Sequence, residues 1–427
     1  MAEMNIHPQA PIEAPARVAG IALGANLGNR QATLEEAIRH LDGSHGCTVL
    51  RVSSWFETEP VGGPAGQPPF LNGALLALTT LQPLDLMANL LRIEASLGRV
   101  RKEKDGPRTL DLDLVFLDGL VLDWPDLQLP HPRFPERRFV VAPLAQIAPG
   151  WRHPVTGTTI TAMLGRLDGM RITNSHPGGE LLGTTAVVLG ASKGIGKAIA
   201  EELARAGAQV ICHGRDATLL EATCRFCRLW GVKSWPICLD LRTPGAALAL
   251  VNKAEEIGGP ADIWVQNAGA DILTGDGPGW SLDEKLRSLF EVDARGTLEG
   301  CRAVGERMRR RGKGAIITMG WDQADCGMAG DSGQLFGLIK GGVMALTKSL
   351  AASLSPEVRV NGVAPGWVRT SWGENASETW QKRAIAETLL GRWGTPSDIA
   401  QAVRFLAGPQ SGWITGQILR VNGGATR

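Results

Sequence analysis

Residues 185–196 read Thr-Ala-Val-Val-Leu-Gly-Ala-Ser-Lys-Gly-Ile-Gly, and this stretch decides the architecture of the second half of the chain. Thr185 to Leu189 is a short apolar run of the length of a buried strand. Gly190, Gly194 and Gly196 then space a loop whose backbone can approach a phosphate, and Lys197 to Ala206 continues as a helix. Further apolar runs follow at Val210 to Cys212, Ala261 to Val265 and Ala315 to Thr318, separated by helical stretches. Strands buried on both faces and alternating with helices predict a doubly wound parallel sheet over residues 185–427. Residues 172–184, with Asn174, Ser175, Pro177, Gly178 and Gly179, have the chemistry of a linker. Upstream of it the alternation is lost. Val18 to Leu23, Val49 to Trp55, Leu71 to Thr79 and Leu110 to Leu117 read as strands, Thr33 to Leu41 and Leu84 to Leu97 as helices, an α+β order that predicts a different domain over residues 17–171.

A chain of 427 residues is long enough for two cores, and 44% hydrophobic with 20% charged residues is ordinary for a globular protein. A formal net charge of +1 supplies no global field for nucleic acid or an anionic membrane, so small molecules are the expected partners. Met1 to Pro15 lacks the basic and apolar regions of a secretory signal, and no apolar run is expected to cross a bilayer. Seven scattered cysteines suggest reduced thiols and a cytoplasmic location. Cys224 and Cys227 form a CxxC without a second ligand pair at zinc-finger spacing, so they read as structural thiols.

The densest chemistry of the first half lies between Arg99 and Asp113. In a strand Asp111 and Asp113 point to one face while Leu110, Leu112 and Leu114 enter the core. Two carboxylates so close suit divalent cations that bridge phosphate oxygens, and magnesium is the natural candidate. Arg99, Arg101, Lys102, Lys104 and Arg108 precede the pair and could neutralise a polyphosphate. Taken singly, the basic run reads as a solvated loop and the DxD as a strand end; their adjacency favours a phosphate-transfer site. No Walker loop is present, because Gly190 to Lys197 has the wrong glycine spacing and Ala198 where Ser or Thr is required.

Lys104-Asp-Gly-Pro-Arg-Thr-Leu-Asp-Leu-Asp-Leu-Val115 resembles the signature of the 6-hydroxymethyl-7,8-dihydropterin pyrophosphokinases. Gly24 to Gly28, Glu57 to Pro60, Gln67 to Asn72, and Pro130-His131 with Arg137, Phe139 and Ala142 to Leu144 match further stretches of that family in order. The resemblance implies a ferredoxin-like α+β fold and pyrophosphoryl transfer from ATP to the pterin in folate biosynthesis. It assigns two magnesium ions to Asp111 and Asp113, and charge stabilisation on the transferred group to Arg99 and Arg108. Arg101, Lys102, His131 and Arg137 would contact ATP. Phe70 and Phe139 would sandwich the pterin, and Asn72 with Thr58 would read its hydrogen-bonding edge. Asp105 stands where the family often has tryptophan, in the loop that closes over substrate.

The second half resembles a short-chain dehydrogenase throughout, with a Rossmann-like fold: Gly190, Gly194 and Gly196 are followed in order by Asp240, Asn267-Ala268-Gly269, Lys340, Pro365-Gly366, Thr415-Gly416 and Val421-Asn-Gly-Gly424. By that resemblance Gly190, Gly194, Gly196, Asp240, Asn267 and Lys340 bind a dinucleotide, and Lys193 and Arg215 favour the 2′-phosphate of NADP(H). The family's proton donor is the tyrosine of YxxxK; here the motif is Phe336-Gly-Leu-Ile-Lys340, and the chain has no tyrosine. The companion serine is lost in Met319-Gly320-Trp321, and the usual active-site asparagine is Asp293. Two readings stand open: a noncatalytic NADP-binding or dimerising module, or a reductase of a pterin ring protonated by water or by Asp322, Asp325 or Asp331. A third class of reading makes the whole chain an NADP-sensing scaffold, which would not need both aspartates and the arginines of the first half. The resemblance also implies homo-oligomerisation through the second domain.

Overall fold

A computed structural model of the chain describes residues 16–61, 64, 66–99, 106–168, 179–374 and 376–425. Arg101, Lys102, Asp105 and residues 172–178 of the expected linker lie outside the described residues. The chain divides into two compact units, Met1–Ser175 and His176–Arg427.

The first unit runs β1 (Arg17–Ala25), α1 (Arg30–Asp42), β2 (Cys47–Val52), β3 (Phe56–Thr58), β4 (Phe70–Thr79), α2 (Pro83–Ser96), β5 (Asp111–Leu117), β6 (Leu122–Trp124), β7 (Leu127–Leu129), α3 (Arg138–Ile147) and α4 (Ile160–Leu167). Its main sheet is antiparallel in the order β2-β4-β1-β5, with β3 also paired to β4. Without the short strands, this is the β-α-β-β-α-β arrangement of a ferredoxin-like fold. Period-two alternation splits the sheet into two faces. Ile21, Leu23, Leu75, Leu112 and Leu114 form one core with Leu34 and Leu41 of α1 and Leu86 and Leu90 of α2. The opposite face, against which α3 packs, carries Ala22, Gly24, Asn72, Asp111 and Asp113.

The second unit contains β8 (Thr185–Leu189), α5 (Gly194–Arg205), β9 (Gln209–Gly214), α6 (Ala217–Arg228), β10 (Ser234–Cys238), α7 (Ala246–Gly258), β11 (Ile263–Gln266), α8 (Leu282–Leu289), α9 (Gly296–Arg311), β12 (Gly314–Met319), α10 (Asp331–Leu354), β13 (Val358–Pro365), α11 (Ser371–Glu374), α12 (Glu378–Glu387), α13 (Pro396–Ala407) and β14 (Ile418–Val421). Seven parallel strands lie in the order β10-β9-β8-β11-β12-β13-β14. The winding reverses between β8 and β11, which opens a crevice at their carboxyl ends. The end of the expected linker is built into this unit. Leu181 is buried, its N–H bonds to Ala206 O at 3.0 Å, and Glu180 pairs with Arg404 at 2.5 Å.

One expectation about the membrane is corrected. Helix α10 is, by length and composition, long and apolar enough to cross a bilayer, with a mean hydropathy of 1.3 carried by its Leu, Ile, Val, Phe, Met and Ala side chains. It packs on the sheet, however, with Leu350, Ala351 and Leu354 in one core with Val358 and Val360 of β13.

Candidate functional site

Gly24 pairs with Asn72 on β4 and with Asp111 on β5, and Ala22 two residues earlier pairs with Ala74 and Asp113. Directly opposed residues share a face. Two rows of side chains therefore cross the sheet with their smallest members on β1, leaving a shallow floor walled by Asn72 and Thr58 on one side and by the two aspartates on the other. Phe70 and Phe139, from β4 and α3, line the same small cavity of about 50 Å³, as do Arg108, Leu23, Val61 and Val140. Asn72 is buried, and its amide donates to Thr58 Oγ1 at 2.8 Å.

Charge is distributed unevenly between the carboxylates. Asp111 is held by Arg99 at 2.6 Å and Arg108 at 3.0 Å, whereas among the described residues neither arginine reaches ion-pair distance of Asp113. Burial, reinforced by the neighbouring Asp111 charge, pushes the Asp113 carboxyl up to about 6 against the opposing pull of Arg137, Arg108 and Arg99. Asp113, without an ion-pair partner among the described residues and beside the Asp111 carboxylate, completes a donor set that fits a divalent cation. No third acid, histidine or cysteine joins it among the described residues, which suits magnesium, an ion that keeps waters and takes phosphate oxygens.

Arg108 is placed by its own backbone. Its N–H bonds to Asn26 Oδ1 at 2.7 Å, its carbonyl accepts from Asn26 N at 3.1 Å, and its guanidinium lies 5.4 Å from the centre of the Phe70 ring. Its Nε has no hydrogen-bond partner among the described residues. Arg137 stacks 5.6 Å from the Phe139 ring. The His131 N–H is anchored to Val115 O at 2.8 Å; burial, with Arg137 and Arg133 beside it, holds its imidazole below the ordinary range and favours the neutral ring.

Sequence reasoning missed Glu94. This carboxylate is 2% exposed, accepts from Leu112 N at 2.7 Å and grips Arg99, so it braces both the arginine and the strand that carries the aspartates. Its place on the face of α2 that carries Leu86, Leu90 and Ile93 was the available signal. The floor residues Ala22 and Gly24 were also missed, because their role depends on strand register.

In the second unit Gly190 has φ +72, Gly194 φ +56, and a Cβ on Gly196 would meet Gly190 O at 2.0 Å, so only glycines allow this close turn at the N-terminus of α5. Asn267 donates to Leu189 O at 3.0 Å and Gly190 O at 3.3 Å, tying the loop to the end of β11. The cradle fits a pyrophosphate. Asp240 is bound by Arg242 at 2.5 Å and is held below the usual carboxylate range first by that contact, with a smaller contribution from Arg215. Lys193, at the start of α5, adds to the local bonding that lowers Asp271. Lys340 stands 2.7 Å from Asp293 and donates to Met319 O at 3.2 Å. Phe336 and Trp321 have ring centres 6.0 Å apart. Of the three candidate acids, Asp325 is half-exposed and paired with Arg420, and Asp331 is exposed at the start of α10. Asp322 is 1% exposed, has one oxygen without a hydrogen-bond partner among the described residues, and is pushed by burial to about 6. Cys224 and Cys227 are fully buried in α6 near Cys212.

Residues 20–149 match the family described as 7,8-dihydro-6-hydroxymethylpterin-pyrophosphokinase, and residues 190–426 match the family described as enoyl-(acyl carrier protein) reductase. The 2-amino-4-hydroxy-6-hydroxymethyldihydropteridine pyrophosphokinase of Synechocystis sp. is 40% identical over 179 residues, which are 42% of this chain and 91% of that protein. The 3-oxoacyl-[acyl-carrier-protein] reductase of Vibrio cholerae is 34% identical over 248 residues, covering 57% of this chain and 98% of that one. A crystal structure of a gluconate 5-dehydrogenase from Burkholderia cenocepacia, in complex with NADP and tartrate, is 28% identical with a TM-score of 0.52 and covers 57% of this chain and 96% of its own.

Proposed function

We propose, for a chain whose first domain belongs to the dihydropterin pyrophosphokinase family and whose second belongs to the short-chain reductases, that the first performs the chemistry and the second holds NADP(H) without the usual proton relay. The single observation that carries the first half is the convergence of Thr58, Phe70, Asn72, Phe139, Arg108, Asp111 and Asp113 on one cavity.

The rings of Phe70 and Phe139 hold the flat pterin, and Asn72 with Thr58 pairs with its polar edge. Asp111 and Asp113 would hold magnesium, which when bound neutralises phosphate charge. Arg99 and Arg108 stabilise charge on the transferred group; His131 and Arg137, with Arg101 and Lys102, hold ATP. The pterin hydroxymethyl oxygen forms a bond to the β-phosphorus of ATP, the bridge to the α-phosphorus breaks, AMP leaves with the bridging oxygen, and the hydroxyl proton is released. No protein nucleophile is needed, and catalysis is positioning with charge stabilisation. Release of AMP from ATP and 6-hydroxymethyl-7,8-dihydropterin tests this; retention of near wild-type rates in Asp111→Ala and Asp113→Ala would sink it.

The glycine cradle supports NADP(H) binding by the second domain, and Phe336 beside Lys340 supports the loss of ordinary carbonyl reduction, since phenylalanine has no proton to give. One observation favours a second reading, a reductase with an unusual acid: Asp322 is buried, incompletely bonded and poised near neutrality. NADPH oxidation with oxidised pterins that disappears in Asp322→Asn would establish it. The domain also has an apolar groove between α8 and α10, lined by Leu286, Phe290, Leu298, Leu338 and Leu346 with Asp283 and Arg287 among them; a second copy with the same mixed charges is its proposed occupant.

A further inference from the structure

The helical run from α8 into α9 is interrupted at Phe290–Arg295 by a π-helical turn, a form that recurs at functional positions. Within that turn Phe290 faces outward and Asp293 is 1% exposed. Asp293 Oδ2 accepts from Ala270 N at 2.8 Å, and Oδ1 stands 2.7 Å from Lys340 Nζ. Gly269 approaches so closely that a Cβ there would lie 2.9 Å from Oδ1. Lys340 is itself only 14% exposed and bonds to Met319 O. The loop after β11, the middle of α10 and the end of β12 are thus joined by a pair whose charges cancel.

The position of this pair in the crevice gives it meaning. The glycine cradle receives the pyrophosphate at the middle of an extended dinucleotide. Arg215 and Asp240 follow β9 and β10 on one side of the switch point, while Asp293 and Lys340 gather at the ends of β11 and β12 on the other. A ligand that straddles the switch point with its adenosine over β9 turns its nicotinamide toward β11 and β12. The oxidised and reduced ligands differ in charge at that end, where the oxidised ring carries a positive charge and the reduced ring none. An uncompensated lysine ammonium nearby would repel the oxidised ring.

We infer that Asp293, by cancelling the charge of Lys340, sets the redox preference of this crevice toward the oxidised dinucleotide. The inference rests on the reading of this domain as an NADP(H) binder. Asp293 acts through Lys340 and is a positioning residue.

The test is to titrate the full-length chain separately with NADP+ and NADPH in four forms: wild type, Asp293→Asn, Lys340→Met and the double variant. Asp293→Asn should raise the ratio Kd(NADP+)/Kd(NADPH) roughly tenfold, the size of one charge acting across about 10 Å at an effective dielectric near ~20. Lys340→Met should move the ratio in the opposite direction, and the double variant should return it to within about twofold of wild type. Damage to packing would weaken both ligands without this reversal of sign. If either single variant fails to fold, the direction of change in the other decides. Binding of both dinucleotides with an unmoved ratio, or a shift in the same direction in both single variants, would overturn the inference and leave the binding reading intact; a wild-type chain that binds neither dinucleotide would overturn both.

Discussion

Asn72 and Asp111 stand on either side of Gly24 in a single cross-strand row, so the residue proposed to read the pterin edge and one proposed to serve the phosphates are separated by one absent side chain. A Cβ at Gly24 would come within 3.0 Å of Asn72 Oδ1. Gly24→Ala should therefore raise the KM for the pterin about three- to tenfold while shifting the melting temperature by only a few degrees. Steady-state kinetics with thermal unfolding checks both, and an unchanged KM would mean that the ring does not lie over this floor.

Asp113 links activity to pH. Folding raises its carboxyl from 3.8 to about 6, so the native state binds this proton more tightly than the unfolded chain does. The protein without magnesium should lose stability as pH rises from about 4 to about 6 and recover none of it above that range. Asp113→Asn should remove this loss, giving a protein that melts several degrees higher at pH 8 and is inactive. Magnesium should raise the wild-type melting temperature at pH 8 and barely change it at pH 5. Thermal melts across pH, with and without the ion, test all three expectations.

Glu94→Ala removes the brace behind Arg99 and leaves Leu112 N buried without its acceptor. A loss of about 2–4 kcal/mol is expected in urea denaturation, together with a fall in kcat. Glu94→Gln, which keeps an acceptor for Leu112 and loses the charge, should recover much of the stability and little of the rate.

Leu338 is 65% exposed in the apolar groove of the second domain. If a second copy covers it, Leu338→Glu should convert an oligomer to monomers in sedimentation and leave pterin pyrophosphorylation intact. An oligomer that survives this change would place the interface elsewhere.

The sequence was most informative where spacing alone carries structure. Strand period two put Asp111 and Asp113 on one face, and apolar runs around Gly190 to Gly196 announced the parallel sheet. It was silent where contacts depend on register or on distant packing. Nothing in residues 20–25 announces that Gly24 will lie between Asn72 and Asp111, because that follows from the pairing of three strands. The family resemblance draws notice to Asp293, but its contact with Lys340, a distant residue in sequence, required the fold. The apolar character of α10 is hard to see in the sequence because glycines, serines and two lysines interrupt its large apolar side chains. Its packing on the sheet is likewise a tertiary fact.

Trp321, just after β12, and Phe336, in α10, meet in a chain that contains 13 tryptophans and no tyrosine. Near-ultraviolet emission from this protein is therefore almost purely indole emission, with no phenolic donor to blur it and no phenolate to appear in alkali. A reduced dinucleotide bound by the second domain would accept that emission and re-emit at longer wavelength, so indole fluorescence would gauge the proposed occupancy of the crevice.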